Sequence, residues 1–185
     1  MRPLHEKLEE LEDLLLHHRR QLAQSTGVPF VRLVYHVDEE QEAQRQQAIL
    51  ARTLRKKEIP VHEVTCRGVI FAHYEDRGRL EQLFTLEREQ RSGLKKNITR
   101  HAKQTLRQRL LDAAHELPEN GVMFLIDTAF IYPYIELGPI LESCINKIRA
   151  PQALVIFYPA DYDATGQLLF LGQRASGYYR ARPLI

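Results

Sequence analysis

The sequence predicts a three-layer α/β fold with a mainly parallel sheet, and two observations carry that prediction. Gly121-Val122-Met123-Phe124-Leu125-Ile126-Asp127 and Ala153-Leu154-Val155-Ile156-Phe157-Tyr158 are continuous apolar runs of strand length, the composition of strands buried on both faces. Strand-like and helix-like segments alternate up to Tyr158, and strand-like segments then follow one another, as a parallel centre with an antiparallel C-terminal edge hairpin requires.

The elements follow in order. Leu4, Leu8, Leu11, Leu15 and Leu22 recur at helical spacing among glutamates, which predicts a leading amphipathic helix over 1–24. Its acids come early, and His17, His18, Arg19 and Arg20 come late, in keeping with the helix dipole. The β-branched and aromatic run from Pro29 to Val37 reads as the first strand, and Asp38 as the cap of a polar helix reaching Lys57. Ile59 to Val64 reads as a second, short strand. Residues 67–117 have helical spacing interrupted at Gly78 and near Ser92-Gly93, which predicts a helical insertion of two or three helices. The C-terminal strands fill 121–185, with a helix from Tyr134 to Ile148 between the two apolar runs. Leu168 to Leu171 and Gly177 to Arg182 read as the two arms of the edge hairpin. With 185 residues, 44% of them hydrophobic, a single domain spanning 1–185 is expected.

Formal net charge is +2, so any nucleic-acid or acidic-partner surface has to be local. Cys66 and Cys144 stand far apart, outside any C-x-x-C pattern, and read as reduced and buried. No apolar stretch has the length of a signal peptide core or a bilayer span, so a cytoplasmic protein without membrane contact is expected.

In an open parallel sheet, ligands bind beyond the carboxyl ends of the strands. After the first strand, a phosphate-binding loop needs glycines and a lysine; Tyr35-His36-Val37-Asp38-Glu39-Glu40 has neither and adds three acids. This excludes a working phosphate loop and leaves a P-loop-like architecture without one. Asp127 stands where a magnesium-binding aspartate would follow its strand, and equally reads as a turn residue. Asp161 and Asp163 could share a magnesium ion, or could serve the turn that Pro159, Asp163 and Gly166 suggest. A metal-dependent nuclease or hydrolase using Asp127, Asp161 and Asp163 is therefore one alternative. The histidines have no metal-ligand spacing and the serines no nucleophile setting, so no catalytic constellation is complete and no cofactor is expected.

One surface stands out. Between Arg91 and Asp112 the chain holds seven bases and no acid, and Lys96, Arg100, Lys103 and Arg107 fall in one helical stripe, with Lys95 beside it, opposite Leu94, Ile98, Leu106 and Leu110. The stripe suits phosphates, an acidic protein or plain solvent. At the C-terminus, Tyr178, Arg180 and Arg182 alternate onto one face, as an interaction patch or as protection of a sheet edge.

The order of Phe124-Leu125, Tyr132-Pro133-Tyr134, Val155-Ile156-Phe157-Tyr158-Pro159 with Asp161-Tyr162-Asp163, Leu169-Phe170 and Tyr178-Tyr179-Arg180-Ala181 resembles the BrxB-like family of the BREX phage-defence systems. The resemblance covers most of the chain and is most specific in its last third. Where the family shows a Pro-Gly-Glu-Tyr-Asp-Gly loop, this chain has Pro159-Ala160-Asp161-Tyr162-Asp163-Ala164, as in a divergent member. The resemblance implies a small α/β protein without known catalytic activity that binds partners, foremost a PglZ-type protein, beside other BREX components. The basic helix 95–109 adds, from its charge alone, the alternative of a DNA-binding accessory, with DNA met through that helix or through the complex.

Overall fold

The computed structural model describes residues 1–76, 78–82, 85, 91–175 and 180–185, without the side chains of residues 25, 73 and 91–94. Its elements are helices α1 (Leu4–His17), α2 (Arg19–Thr26), α3 (Glu40–Lys56), α4 (Ala72–Glu75), α5 (Arg91–Glu116) and α6 (Leu137–Glu142). The strands are β1 (Phe30–Tyr35), β2 (Val61–Thr65), β3 (Val122–Ile126), β4 (Ala153–Tyr162), β5 (Leu168–Phe170), β6 (Arg174–Ala175) and β7 (Arg182–Leu184).

The main sheet runs β2-β3-β4-β1-β7, with every pair parallel. The period-two pleat sends alternate residues of each strand to opposite faces, which builds two cores. Val31, Leu33, Phe124, Val155 and Phe157 pack under α1, α2 and α3 with Leu11, Leu15, Leu22, Leu50 and Leu54. Val34, Leu125, Leu154 and Ile156 pack on the other face against Ile98, Ala102, Leu106 and Leu110 of α5 and Leu141 of α6. Residues Ala153 to Ala160 are all buried, as their unbroken apolar run requires of a strand covered on both faces.

Local chemistry moved several boundaries. The leading helix breaks at His18, whose backbone leaves the helical region (φ −126°, ψ 14°). No leucine lies between Leu16 and Leu22, so nothing apolar pins the chain there. Gly27 then closes α2 in the left-handed conformation (φ 76°) with its N–H on Ala23 O. Ser92 and Gly93 lie within α5 rather than breaking it. The segment predicted helical from Tyr134 to Ile148 is a helix only over α6, because Ser143 Oγ turns back to Ile140 O (2.7 Å) and competes with the helical ladder.

The antiparallel hairpin differs from its predicted form in its second arm. β5 pairs with the far end of β4, and β6 follows after a three-residue turn, 171–173, in which Leu171 (φ 53°) and Gly172 (φ 64°) are both left-handed. Among the described residues β6 runs to Ala175, and residues 177–179 of the predicted second arm lie outside them. The last strand, β7, returns to the main sheet parallel to β1, with Leu184 buried opposite Leu33 and Pro183 on the outer edge, where its missing N–H is tolerated.

Candidate functional site

The strand order puts β1 beside β4 while their onward connections leave in opposite directions, towards β2 and towards β7. The carboxyl ends of two such strands frame a crevice. Tyr35 ends β1, and its hydroxyl donates to Glu40 Oε2 at 2.8 Å. Gln44, one turn further along α3, donates its amide to Glu40 Oε1 (3.0 Å) and to Asp127 Oδ1 (3.4 Å). Asp127 follows β3 and is left-handed (φ 57°), a conformation an aspartate tolerates better than most side chains. Its Oδ2 accepts from Thr65 Oγ1 (2.7 Å) and pairs with Arg67 Nε (3.0 Å).

Further contacts brace this edge. The Arg67 guanidinium lies 4.6 Å from the centre of the Phe130 ring, and Arg109 of α5 donates to the carbonyls of Thr65 and Arg67. Burial first, and then the Glu40 carboxylate, pushes the Tyr35 hydroxyl far above its ordinary range, which keeps it a donor. Burial and then Asp127 push the Cys66 thiol up as well, which favours its protonated form. A cavity of about 150 Å³ lies under α3 against this network, with Phe157 and Ile126 as apolar walls.

The segment after β1 is a single 3-10 turn, Val37–Glu39. His36 rather than Asp38 caps it: His36 Nδ1 accepts from Asp38 N (3.3 Å), and Glu39 Oε2 accepts from His36 N (3.0 Å). A nearby imidazole acceptor and a glutamate three residues on form a capping box, which leaves Asp38 exposed. The backbone N–H groups of His36 and Asp38 are thus engaged inside the turn, beside acids that repel phosphate.

The three aspartates of the metal alternative have separate partners. Asp127 is held by Thr65, Arg67 and Gln44. Asp161 belongs to β4, which continues through Pro159 rather than turning there, and its Oδ1 lies 3.2 Å from His36 Nε2. Asp163 organises the turn: its Oδ1 accepts from Thr165 N (2.8 Å), Thr165 Oγ1 (2.7 Å) and Gln167 N (2.9 Å). Those donors, the Thr165 hydroxyl first, hold the Asp163 carboxyl below the usual carboxylate range. Among the described residues no group of three His, Cys, Asp or Glu side chains converges to hold a metal.

On α5, Ile98, Ala102, Leu106 and Leu110 are buried, while Lys95, Lys96, Arg100 and Arg107 are exposed and Lys103 is half-buried. Lys95, Lys96, Arg100 and Lys103 border one shallow, open depression. Among the described residues none of the five pairs with an acid; Arg100 reaches only Asn97 Oδ1 (3.3 Å). At the C-terminus, Arg182 is bound to Glu10 of α1 (3.0 Å), which also pairs with Arg2 (2.8 Å), while Arg180 is exposed; Tyr178 lies outside the described residues.

Glu40, Gln44, Gln47, Thr65 and Arg67 were missed from sequence. The signal was present: positions 40, 43, 44, 47, 50, 51 and 54 share one face of α3, apolar in its second half and polar in its first. An inward-facing stripe that turns polar marks groups with partners inside. Lys7 is the parallel case in α1, at a leucine-stripe position, fully buried, with Nζ donating to Val34 O at 2.6 Å.

No helix among the described residues is long and apolar enough to cross a membrane. No curated protein and no solved structure matches the chain significantly. The family model for BREX protein BrxB matches residues 62–184, from β2 to β7, and leaves α1 to α3 and β1 outside the match. That match spans about two thirds of the chain and contains Asp127, the α5 stripe and the Asp163 turn, and the chain belongs to the BrxB family of BREX phage-defence components.

Proposed function

We propose that the chain is a non-catalytic component of a bacterial BREX complex, one domain over 1–185, acting in the cytoplasm by binding protein partners such as the PglZ-type protein. The observation that carries this reading is the contrast in how charge is used. The carboxylates at the sheet's carboxyl edge are bound to neighbouring side chains, whereas the exposed bases of α5 have no acidic partner among the described residues. Exposed, unpaired charge of one sign speeds encounter and selects partners of the opposite sign.

Co-expression with the PglZ-type protein of the same operon, followed by sizing chromatography at micromolar concentration, tests the reading. Co-elution is the expected result, lost on reversing Lys96, Arg100, Lys103 and Arg107 to glutamate; independent migration of the two wild-type proteins overturns it. The same stripe favours a second reading, contact with DNA. It predicts a log-log salt slope of roughly −4.5 if all five bases meet phosphates. DNA retention unchanged by the four reversals removes that reading.

A further inference from the structure

The cavity under α3 has a donor and acceptor pattern that its own residues leave incomplete. Gln47 is only 7% exposed and lines the cavity, yet its Nε2 is buried with no hydrogen-bond partner among the described residues. A buried amide donor without an acceptor is costly, and native proteins rarely keep one without a use. The same cavity is bordered by the Glu40 and Asp127 carboxylates, each with lone pairs beyond those taken by Tyr35, Gln44, Thr65 and Arg67.

These groups define the ligand by complement. It must present N–H donors to the carboxylates and one acceptor to Gln47. Two carboxylates face one guanidinium, and Arg67 sits on the solvent side, 56% exposed, so an anion is disfavoured. The walls Phe157 and Ile126 are apolar, and a cavity near 150 Å³, open on one side, accommodates the six-membered ring of a larger heterocycle whose remainder extends through the opening. A metal ion would satisfy the carboxylates but not an amide N–H. We propose that the cavity binds a small planar heterocycle bearing N–H groups beside a carbonyl-type acceptor, with the guanine edge as the best match. Two guanine N–H groups suit one carboxylate, and its O6 suits Gln47. The acidic turn after β1 disfavours phosphates at the mouth, which points to a nucleoside or free base rather than a nucleotide. The proposal does not depend on partner binding through α5.

The test is protein-observed NMR on the full chain, titrated separately with guanosine, adenosine, cytidine, uridine and, as a control, magnesium chloride. Guanosine is expected to shift signals of Tyr35 to Gln47 and Ile126 to Thr128 saturably. Asp127→Asn, Gln47→Leu and the length-preserving Gln47→Met are each expected to weaken it roughly tenfold or more. If no nucleoside shifts these signals, the proposal is overturned. It is equally overturned if binding survives unchanged in whichever Gln47 variants remain folded, or if Gln47→Leu raises Tm while the wild type ignores every nucleoside, since the cavity then holds water alone.

Discussion

Helices α3 and α5 each carry a polar stripe, and they use it in opposite ways. Glu40 and Gln44 of α3 are engaged with Tyr35 and Asp127 at the sheet edge, and Gln47 is buried beneath the helix. Lys95, Lys96, Arg100 and Arg107 of α5 point outward while Ile98, Leu106 and Leu110 anchor the other side. The difference teaches where function can sit without cost. At that edge Tyr35, Glu40, Gln44, Asp127, Thr65 and Arg67 answer for one another, so altering one strands its neighbours. On α5 the apolar face holds the helix, and among the described residues no acid takes up the charges, which suits recognition.

The most direct way to break this comparison is Asp127→Ala. It strands Thr65, Arg67 and Gln44 and places alanine in left-handed backbone, so a loss of about 3 kcal/mol is expected in urea unfolding. Asp127→Asn keeps an acceptor and tolerates that backbone, and should lose only about 1 kcal/mol. Equal, negligible losses would show that the edge network is not a unit.

Lys7 sharpens the same point for α1. Burial holds its ammonium below the ordinary lysine range, with Glu39 only partly opposing the shift. The native state therefore binds fewer protons than the unfolded chain between the lowered value and the ordinary one. Stability from this site rises with pH through that window, up to about pH 10.4. Lys7→Met removes a buried charge of similar shape and is expected to gain about 1 kcal/mol at neutral pH. The gain should shrink as pH approaches 10; an unchanged gain across that range would sink the account.

What was legible in the sequence follows the same division. The apolar runs of β3 and β4 announce their burial because nothing polar interrupts them, and the α5 stripe is visible because seven bases stand without an acid. The parallel return of β7 was not legible, since a three-residue strand carries too little pattern to choose between joining a hairpin and pairing with β1. The cap at His36 was hidden because an imidazole acceptor depends on its tautomer and rotamer rather than on residue type. The cavity under α3 needs Tyr35, Gln47, Asp127 and Phe157 from separate elements, and no local window contains them.

On α5 the expected stability effects are small and their sign is informative. Lys96→Gln, Arg100→Gln and Lys103→Gln should each change stability by less than about 0.5 kcal/mol. Their combination should raise Tm slightly, because like charges at three- and four-residue steps repel. Added salt should shrink that difference, as screening already relieves the repulsion in the wild type. A large loss on neutralising them would instead mean that the bases hold the helix in place, and the division between the two helices would fail.

Asp163 tests the boundary between the two behaviours, being a carboxylate on the surface whose donors are all in its own turn. Its folded-state value is depressed, so the stability it contributes is present above the unfolded carboxylate range near pH 4 and is lost as pH falls through the lower folded value. Asp163→Ala should therefore differ from wild type at pH 7 and converge with it in strong acid, in thermal melts taken across that range. Because the turn leads from β4 into β5, the same substitution should raise amide exchange at Thr165 and Gln167 and leave the α3 network untouched. Exchange that spreads to Gln44 or Thr65 would mean that the hairpin and the sheet edge open together, and that the polar groups under α3 depend on a turn they do not touch.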